Sequence, residues 1–225
     1  MSAPTLRLAI LISGRGSNMA AIARACREQQ LHATVVRVLA DRASAAGIEV
    51  ARGLGLDARV IASRDYPDRA AFESALARSI DESGAELVVL AGFMRILSPS
   101  FVAHYRGRLL NIHPSLLPRH KGLHTHRNVL LAADREHGSS VHFVTDELDG
   151  GPVIYQSRFQ VRADDDEQSL EARILQLEHR LYPHAIGLIA SGRLKLRDDT
   201  VLLDGRVLTS PLLEDEHQGA THAVG

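Results

Sequence analysis

The stretch that decides the fold is Leu8-Ala9-Ile10-Leu11-Ile12-Ser13-Gly14-Arg15-Gly16-Ser17-Asn18. Its apolar residues predict a buried strand within residues 6–13, and an amphipathic pattern predicts a helix over residues 17–27. The polar loop between them carries two glycines. A strand, a glycine-containing loop and a helix in this order are typical of α/β folds with a parallel sheet.

The same alternation of short apolar runs and amphipathic stretches continues through the first half of the chain. We predict further strands at residues 34–40, 57–62, 86–91 and 108–112, and helices at residues 43–54 and 67–82. Pro67 suits the first turn of the helix at residues 67–82. This rhythm predicts a doubly wound, mostly parallel sheet with right-handed crossovers.

The second half of the chain changes to a pattern typical of a short antiparallel C-terminal part. Strands are predicted at residues 139–145, 153–161, 195–197 and 200–203, the first two joined by a turn region at residues 146–152. A helix follows the acidic cluster at residues 164–167 and carries one apolar face, formed by Leu170, Ile174, Leu177 and Leu181. Residues 214–225 are polar and rich in small residues, so we expect a frayed tail.

The composition argues against several classes of function. The chain has 225 residues with 26 Lys and Arg against 27 Asp and Glu, so no basic nucleic-acid-binding face is expected. The apolar run at residues 8–12 is shorter than the roughly 20 residues of a membrane helix, and it does not resemble a secretory signal. Cys26 is the only cysteine, which fits a reducing cytoplasm. We expect a cytoplasmic protein, either a monomer or a homodimer.

The glycine-containing loop has features of an anion site. Glycines let a backbone approach an anion, and the N–H groups of the following helix attract negative charge. The dinucleotide fingerprint requires a third glycine where this chain has Met19, so a single phosphate fits better than a pyrophosphate. Asp41, after the second strand, is placed like the acid that binds a cofactor's ribose, so a nicotinamide cofactor stays open as an alternative. A purely structural turn is the third interpretation.

A second candidate site begins at the end of the fifth predicted strand. Asn111 and His113 are two residues apart on an extended segment, so their side chains point to one face. An amide and an imidazole aimed together suit a pair of donors to an oxyanion. Asp149 belongs to an acidic, glycine-rich loop, and a carboxylate beside an imidazole favours its positively charged form. A strand-end histidine with a merely structural role is the alternative.

Three further histidines have a metal-like spacing. His120, His124 and His126 follow an H-x3-H-x-H pattern. No accompanying cysteine and no tight carboxylate pattern supports a zinc site there. We therefore predict no metal and expect loop residues or ligand contacts.

Several motifs together resemble the folate-dependent formyltransferase family. The main ones are Asn111-Ile112-His113-Pro114-Ser115-Leu116-Leu117-Pro118, Ser140-Val141-His142-Phe143-Val144-Thr145 and Asp149-Gly150-Gly151-Pro152. Further likeness lies in residues 12–18, in Ala91-Gly92-Phe93-Met94-Arg95-Ile96-Leu97-Ser98-Pro99 and in Gly122-Leu123-His124-Thr125-His126. The likeness covers about residues 6–205, and the motifs occur in the family's order.

The resemblance implies a Rossmann-like formyltransferase fold and a role for each matching residue. It implies catalysis by Asn111, His113 and Asp149. It implies that Gly16, Ser17 and Asn18 bind the phosphate of glycinamide ribonucleotide and that Glu178 contacts its glycinamide part. It implies a folate site formed by Arg69, Met94, Arg95, Ile96, Leu97, Asn111, Thr145, Asp146, Glu147, Leu148 and Asp149. Leu175 and Leu177 stand where some relatives have polar residues, and Arg15 and Lys121 receive no role.

The activity that the resemblance implies is transfer of a formyl group from 10-formyltetrahydrofolate, as co-substrate, to the amine of glycinamide ribonucleotide in purine biosynthesis. Residues 1–205 would form one domain, with a phosphate-binding half at about 1–105 and a folate-binding, catalytic half at about 106–205. Residues 206–225 would be a C-terminal extension with a disordered end. A 10-formyltetrahydrofolate hydrolase on the same scaffold is one alternative. A non-catalytic nucleotide-binding module is another, while a methionyl-tRNA formyltransferase would carry a further RNA-binding domain.

Overall fold

The computed structural model describes residues 5–216 of the chain. Its strands are β1 (Leu6–Ile12), β2 (Ala33–Ala40), β3 (Ala58–Val60), β4 (Leu87–Leu90), β5 (Leu109–His113), β6 (Glu136–Phe143), β7 (Val153–Gln160), β8 (Leu194–Arg197), β9 (Thr200–Leu203), β10 (Arg206–Val207) and β11 (Leu212–Asp215). Its helices are α1 (Ser17–Arg27), α2 (Gly47–Gly53), α3 (Arg69–Glu82), α4 (Pro99–His104), α5 (Thr125–Leu131) and α6 (Glu167–Ala190).

Eight strands form the main sheet, in the order β11-β7-β6-β5-β4-β1-β2-β3. All neighbours from β3 to β5 run parallel. β6 is antiparallel to both of its neighbours, and β11 is parallel to β7. The strands β10, β9 and β8 form a separate antiparallel sheet. This topology confirms the doubly wound, mostly parallel fold with a short antiparallel C-terminal part.

The core lies on both faces of the sheet, because both faces of β1 are buried. Leu8 and Ile10 belong to one apolar cluster with Tyr182 of α6. Ala9 and Leu11 belong to a second cluster on the opposite face, which includes residues of α3 and α4. A continuous apolar run is what a parallel strand covered by helices on both sides requires. Within residues 5–216, no helix combines the length and the apolar character needed to cross a bilayer.

Some predicted boundaries are wrong. The helix predicted at residues 67–82 begins at Arg69, because Asp68 caps it by accepting the N–H of Ala71 at 2.8 Å, and Pro67 therefore precedes the helix. The short helices α4 and α5 were not predicted, since six or seven residues show too little periodicity. β11 lies inside the predicted extension and completes one edge of the main sheet, and because it includes residues 214 and 215, the frayed tail predicted from residue 214 is wrong there. The division into domains stays a prediction, and residues 217–225 of the predicted tail lie outside the described residues.

Candidate active site

The loops that follow β1 and β4 meet at the carboxyl end of these parallel strands, where the strand order reverses. The N–H of Ser13 donates to the carbonyl of Gly92 at 3.0 Å, and the N–H of Met94 donates to Ser13 Oγ at 2.9 Å. Ligands of doubly wound sheets bind at such a reversal. The predicted phosphate loop and part of the predicted folate site therefore lie side by side at this end of the sheet.

Gly16 ends the loop before α1 and has a structural reason to be glycine. Its φ is +74°, and an added Cβ would lie 2.9 Å from the Cα of Gly47. Both the left-handed backbone and the approach of α2 exclude a side chain. In the described structure no side chain caps the start of α1, and its first turn has no acidic residue. The N–H groups of this turn therefore suit an anion.

Asn18 connects the start of α1 to Glu178 in the middle of α6. The Asn18 amide donates from Nδ2 to Glu178 Oε2 at 2.7 Å. Asn18 is only 7% exposed, and its Oδ1 is buried without a hydrogen-bond partner among residues 5–216. The structure thus brings two predicted acceptor-binding residues together and leaves one acceptor atom for a further donor.

Glu178 is a buried acid in neutral surroundings. Burial raises the pKa of Glu178, although hydrogen bonds from Asn18 and Ser139 lower it in part. Ser139 Oγ lies 3.0 Å from Glu178 Oε1 and 2.9 Å from the carbonyl oxygen of His113. One hydroxyl hydrogen cannot serve both oxygens. If Ser139 donates to the carbonyl of His113, a protonated Glu178 completes the network by donating to Ser139, in agreement with the raised pKa.

The predicted catalytic histidine and aspartate are adjacent and buried. His113 Nδ1 lies 3.4 Å from Asp149 Oδ2, and His113 Nε2 donates to the carbonyl of His120 at 2.9 Å. The backbone N–H of Gly122 donates to the same Asp149 oxygen at 2.9 Å. Both ring nitrogens face oxygens that only accept, and a positively charged imidazolium satisfies that arrangement. Asp149 has a φ of +48°, an uncommon backbone conformation of the kind found at functional sites.

Asn111 pairs with His142, for which the sequence predicted no role. Their positions are opposite each other in the β5–β6 register, and Asn111 Nδ2 lies 3.2 Å from His142 Nε2. His142 Nδ1 lies 3.0 Å from the carbonyl of Phe143, so Nδ1 carries the hydrogen and Nε2 accepts from Asn111. Burial lowers the pKa of His142, which keeps it neutral. His142 therefore orients the Asn111 amide and uses one of its two N–H bonds.

A cleft of about 590 Å³ lies beside the loop after β4. Four of the predicted folate-binding residues line it, namely Arg69, Met94, Arg95 and Ile96. Met94 and Ile96 are 67% and 68% exposed. Exposed apolar side chains next to arginines suit a flat ring with an anionic tail, and the volume is within the usual range for such ligands. Leu97 is buried in the core beneath this loop.

The buried carboxylate of Asp41 binds Arg95, which lines this cleft. Arg95 Nε donates to Asp41 Oδ2 at 2.6 Å, and Arg42 contacts the other oxygen at 3.2 Å. Burial raises the pKa of Asp41, but hydrogen bonds from Arg42, Ser13 and Arg95 outweigh it and lower the pKa. Asp41 is 1% exposed, and these partners occupy its oxygens, so a cofactor's ribose cannot reach it. This geometry removes the support that Asp41 gave to a nicotinamide cofactor.

The predicted folate residues between Thr145 and Asp149 do not line the cleft that contains Met94. Glu147 forms an ion pair with Lys121 at 2.7 Å, and Leu148 is 51% exposed. Thr145 is half-buried and Asp146 is exposed in the same loop. The structure therefore places Asp149 at His113, whereas Asp146, Glu147 and Leu148 are exposed to solvent.

The three histidines with metal-like spacing point to different partners. His120 Nε2 lies 2.6 Å from Asp134 Oδ2, while His126 Nδ1 lies 2.9 Å from Nε2 of His137. Burial lowers the pKa of His126 and lowers that of His137 to about 3. His124 precedes α5 with a φ of +59°. Among residues 5–216, no group of three or more His, Cys, Asp or Glu side chains has a metal-binding arrangement.

Comparison with known proteins identifies the class. A family model described as formyl transferase matches residues 6–186, and the chain belongs to this family. Phosphoribosylglycinamide formyltransferase of Escherichia coli strain K12 is 50% identical over 203 residues, which cover 90% of this chain and 96% of that protein. The human trifunctional purine biosynthetic protein adenosine-3 is 39% identical over 193 residues, which cover 86% of this chain and 19% of that longer protein.

Solved structures agree with this assignment. The phosphoribosylglycinamide formyltransferase of Coxiella burnetii, determined in complex with CHES, superposes with a TM-score of 0.89 at 42% identity. The match covers 93% of this chain and 99% of that one. Glycinamide ribonucleotide transformylase 1 of Symbiobacterium toebii gives a TM-score of 0.86 at 42% identity and covers 90% and 95% of the two chains. The fold predicted from the motifs is therefore the family's fold.

Proposed function

We propose that this chain transfers the formyl group of 10-formyltetrahydrofolate to the amine of glycinamide ribonucleotide in purine biosynthesis. The relatives indicate which reaction to expect, and the site has a region suited to each of the two substrates. We assign the phosphate to Gly16, Ser17 and Asn18, and the glycinamide part to the region of Glu178. The folate belongs in the cleft beside the loop that contains Met94.

The observation that supports this proposal most directly is the link made by Ser139. Its hydroxyl contacts Glu178 on one side and the backbone of His113 on the other, at 3.0 and 2.9 Å. Glu178 in turn holds Asn18 of the phosphate loop at 2.7 Å. An enzyme that uses water as nucleophile has no need to couple a phosphate loop to its catalytic histidine. The link suits two bound substrates held side by side, which lowers the entropic barrier to their reaction.

The roles of the catalytic residues follow from their contacts. As the substrate amine attacks the formyl carbon, the formyl oxygen gains negative charge, and Asn111 donates its remaining N–H to it. His113 donates a ring N–H to the same oxygen, which requires that its bond to the carbonyl of His120 be exchanged. Asp149 balances the charge of His113 and relays a proton from the amine to the leaving nitrogen.

The lone cysteine is poorly suited to act as a nucleophile. Burial raises the pKa of the Cys26 thiol to about 11, so little thiolate exists near neutral pH. Cys26 lies on α1, whose buried face packs in the core next to α6. Direct attack by the substrate amine therefore needs no covalent enzyme intermediate.

The test is to follow loss of the formyl group from 10-formyltetrahydrofolate with and without glycinamide ribonucleotide. We expect the loss to depend on glycinamide ribonucleotide, with the formyl group recovered on its amine. Rapid release of formate without the acceptor would replace the transferase by a hydrolase while leaving the catalytic residues in place. Binding of the ligands without turnover would favour a nucleotide-binding module.

We place this reaction in the cytoplasm, because a single, half-buried thiol suits a reducing compartment. The assembly as a monomer or a homodimer stays a prediction, and sedimentation at micromolar concentration would decide it.

A further inference from the structure

We propose that Arg15 is the cation that binds the substrate's phosphate, and that Glu171 competes with this phosphate for the Arg15 guanidinium. The inference rests on the proposed function and adds a residue to its acceptor site. Arg15 is the only charged residue in the loop Ser13-Gly14-Arg15-Gly16-Ser17-Asn18.

The charge balance of the acceptor site requires a cation. A phosphate monoester carries about −1.5 to −2 charges near neutral pH. The N-terminus of a helix such as α1 offers N–H donors and a partial charge of roughly +0.5. Ser17 and Asn18 are neutral, and Glu178 adds no positive charge. More than one negative charge is left to balance, and a guanidinium suits a phosphate because it donates two parallel hydrogen bonds.

The position of Arg15 fits this role. Arg15 Nη2 forms an ion pair with Glu171 Oε1 of α6. Glu171 and Glu178 are seven residues apart on α6, so they share one helix face at a separation of roughly 10 Å along the axis. Because Asn18 binds Glu178, the loop contacts this face at two points, with Gly16 and Ser17 between them. A phosphate on the N–H groups of Gly16 and Ser17 therefore lies beside the Arg15 residue.

The contact with Glu171 leaves the guanidinium accessible. The side chains of Arg15 and Glu171 are 72% and 46% exposed, and exposed ion pairs of this kind contribute little to stability. Leu175 lies between the two acids on the same face and adds no charge. Glu171 thus acts on Arg15 as an exposed anion that a phosphate dianion can replace.

The experiment compares two substitutions that break the same ion pair from opposite ends. For Arg15→Gln we expect the KM for glycinamide ribonucleotide to rise about tenfold, the usual scale for losing one charge-assisted hydrogen bond. The KM for 10-formyltetrahydrofolate and kcat should stay within about twofold. For Glu171→Gln we expect the KM for glycinamide ribonucleotide to stay unchanged or to fall, because the competing anion is removed. Arg15→Lys should recover part of the loss, since it restores the charge.

Arg52→Gln is the matched control, because it breaks another exposed Arg–Glu pair, that with Glu49 at 2.6 Å on α2. It should leave every constant unchanged. Inorganic phosphate serves as a second probe: its inhibition constant against glycinamide ribonucleotide should rise in Arg15→Gln and not in Arg52→Gln.

Two results would overturn the inference. One is a KM in Arg15→Gln that matches the control. The other is an equal rise of the KM in Arg15→Gln and Glu171→Gln, which would mean that the ion pair only stabilises the conformation of the loop. Failure of the proposed function is a separate result, because it would appear as a wild-type protein without acceptor-dependent turnover.

Discussion

At the scale of single residues, His113 is the group whose removal should affect only the reaction. Its ring contacts Asp149 and the carbonyl of His120. We expect His113→Ala to lower kcat by about 10²–10³-fold, the usual cost of losing one oxyanion donor. Folate binding should persist, because the cleft at Met94 does not include His113.

The control for this variant is His104→Ala, which removes a half-exposed histidine that pairs with Asp81 at 3.0 Å on the protein surface. Single-turnover formyl transfer and equilibrium folate binding should be measured on both proteins. If His113→Ala keeps more than about a tenth of the wild-type rate, the proposed role as an oxyanion donor is wrong.

Glu178 gives a prediction in which stability and binding move apart. Burial raises the pKa of Glu178 in the folded chain, so the unfolded chain releases this proton first as pH rises. The free energy of unfolding therefore falls between the ordinary carboxyl pKa and the raised one. Glu178→Gln lacks this proton and can still accept from Asn18 and donate to Ser139. We expect its stability relative to wild type to increase as the pH rises above the ordinary carboxyl pKa.

Urea unfolding at several pH values tests this, and steady-state kinetics provide the second measurement. We expect Glu178→Gln to raise the KM for glycinamide ribonucleotide while the protein becomes no less stable, a trade-off seen at functional sites. A stability difference that does not change with pH would mean that Glu178 is ionised in the folded protein.

The residues that sequence predicted and those that it missed differ in how their contacts arise. Asn111 and His113 lie two apart on one strand, so their common face follows from the strand period alone. Asp149 was found through its motif, and the structure places it at His113. His142 is one of 12 histidines, and only the β5–β6 register shows that it faces Asn111. Local patterns do not contain such a register.

At the scale of elements, the turn from β1 into α1 depends on one of its two glycines far more than on the other. Gly16 has a left-handed backbone and lies against Gly47, whereas a Cβ on Gly14 would meet nothing within 4 Å. We expect Gly16→Ala to lower the free energy of unfolding by about 2 kcal/mol or more, because a left-handed conformation costs about 1–2 kcal/mol before any clash. Gly14→Ala should cost less than about 1 kcal/mol.

Urea unfolding of the two variants provides a direct comparison, since each adds one methyl group to the same loop. Equal stability of the two proteins would mean that the approach of α2 to Gly16 is not retained in solution. Glycinamide ribonucleotide affinity of Gly14→Ala should be measured as well, because this variant tests the loop without disturbing its fold.

The accuracy of the predicted elements follows their length and their surroundings. The bounds of α1 were predicted correctly, since an 11-residue amphipathic pattern follows directly on a glycine-containing loop. The helix predicted at residues 43–54 is shorter, because Ala46 precedes its first residue and the backbone before it forms bends. α4 begins at a Ser98-Pro99 pair, a recognisable helix start, but six residues are too few to show the helical period.

At the scale of the whole molecule, the order of the strands produces the active site. β1 and β4 are neighbours although two strand–helix units separate them in the chain, and this brings the phosphate loop next to Met94. β5 pairs with β4, so Asn111 and His113 lie near the same end of the sheet. The alternation of strands and helices predicted this class of sheet, but the place of β11 was not predicted, because four residues near the end of the chain carry no period.

The edge strand β11 gives the last prediction. It covers β7 with parallel ladder pairs, Asp215 accepts from Arg158 Nε at 2.6 Å, and Glu214 is buried beside Tyr155. Ending the chain after residue 205 removes these contacts and exposes the whole edge of β7, which is a template for association. We expect the Tm to fall by about 5 °C or more, since each kcal/mol shifts a domain of this size by about 2–4 °C.

A chain that ends after residue 216 is the matched control, because it keeps β11. The kcat of both proteins at 15 °C should remain near the wild-type value, since β6 and β7 separate β11 from His113. Thermal unfolding and light scattering would be followed together, because an exposed β7 edge should also promote aggregation. An unchanged Tm after the shorter truncation would show that β11 does not stabilise the sheet in solution, and that residues 1–205 alone form the stable domain.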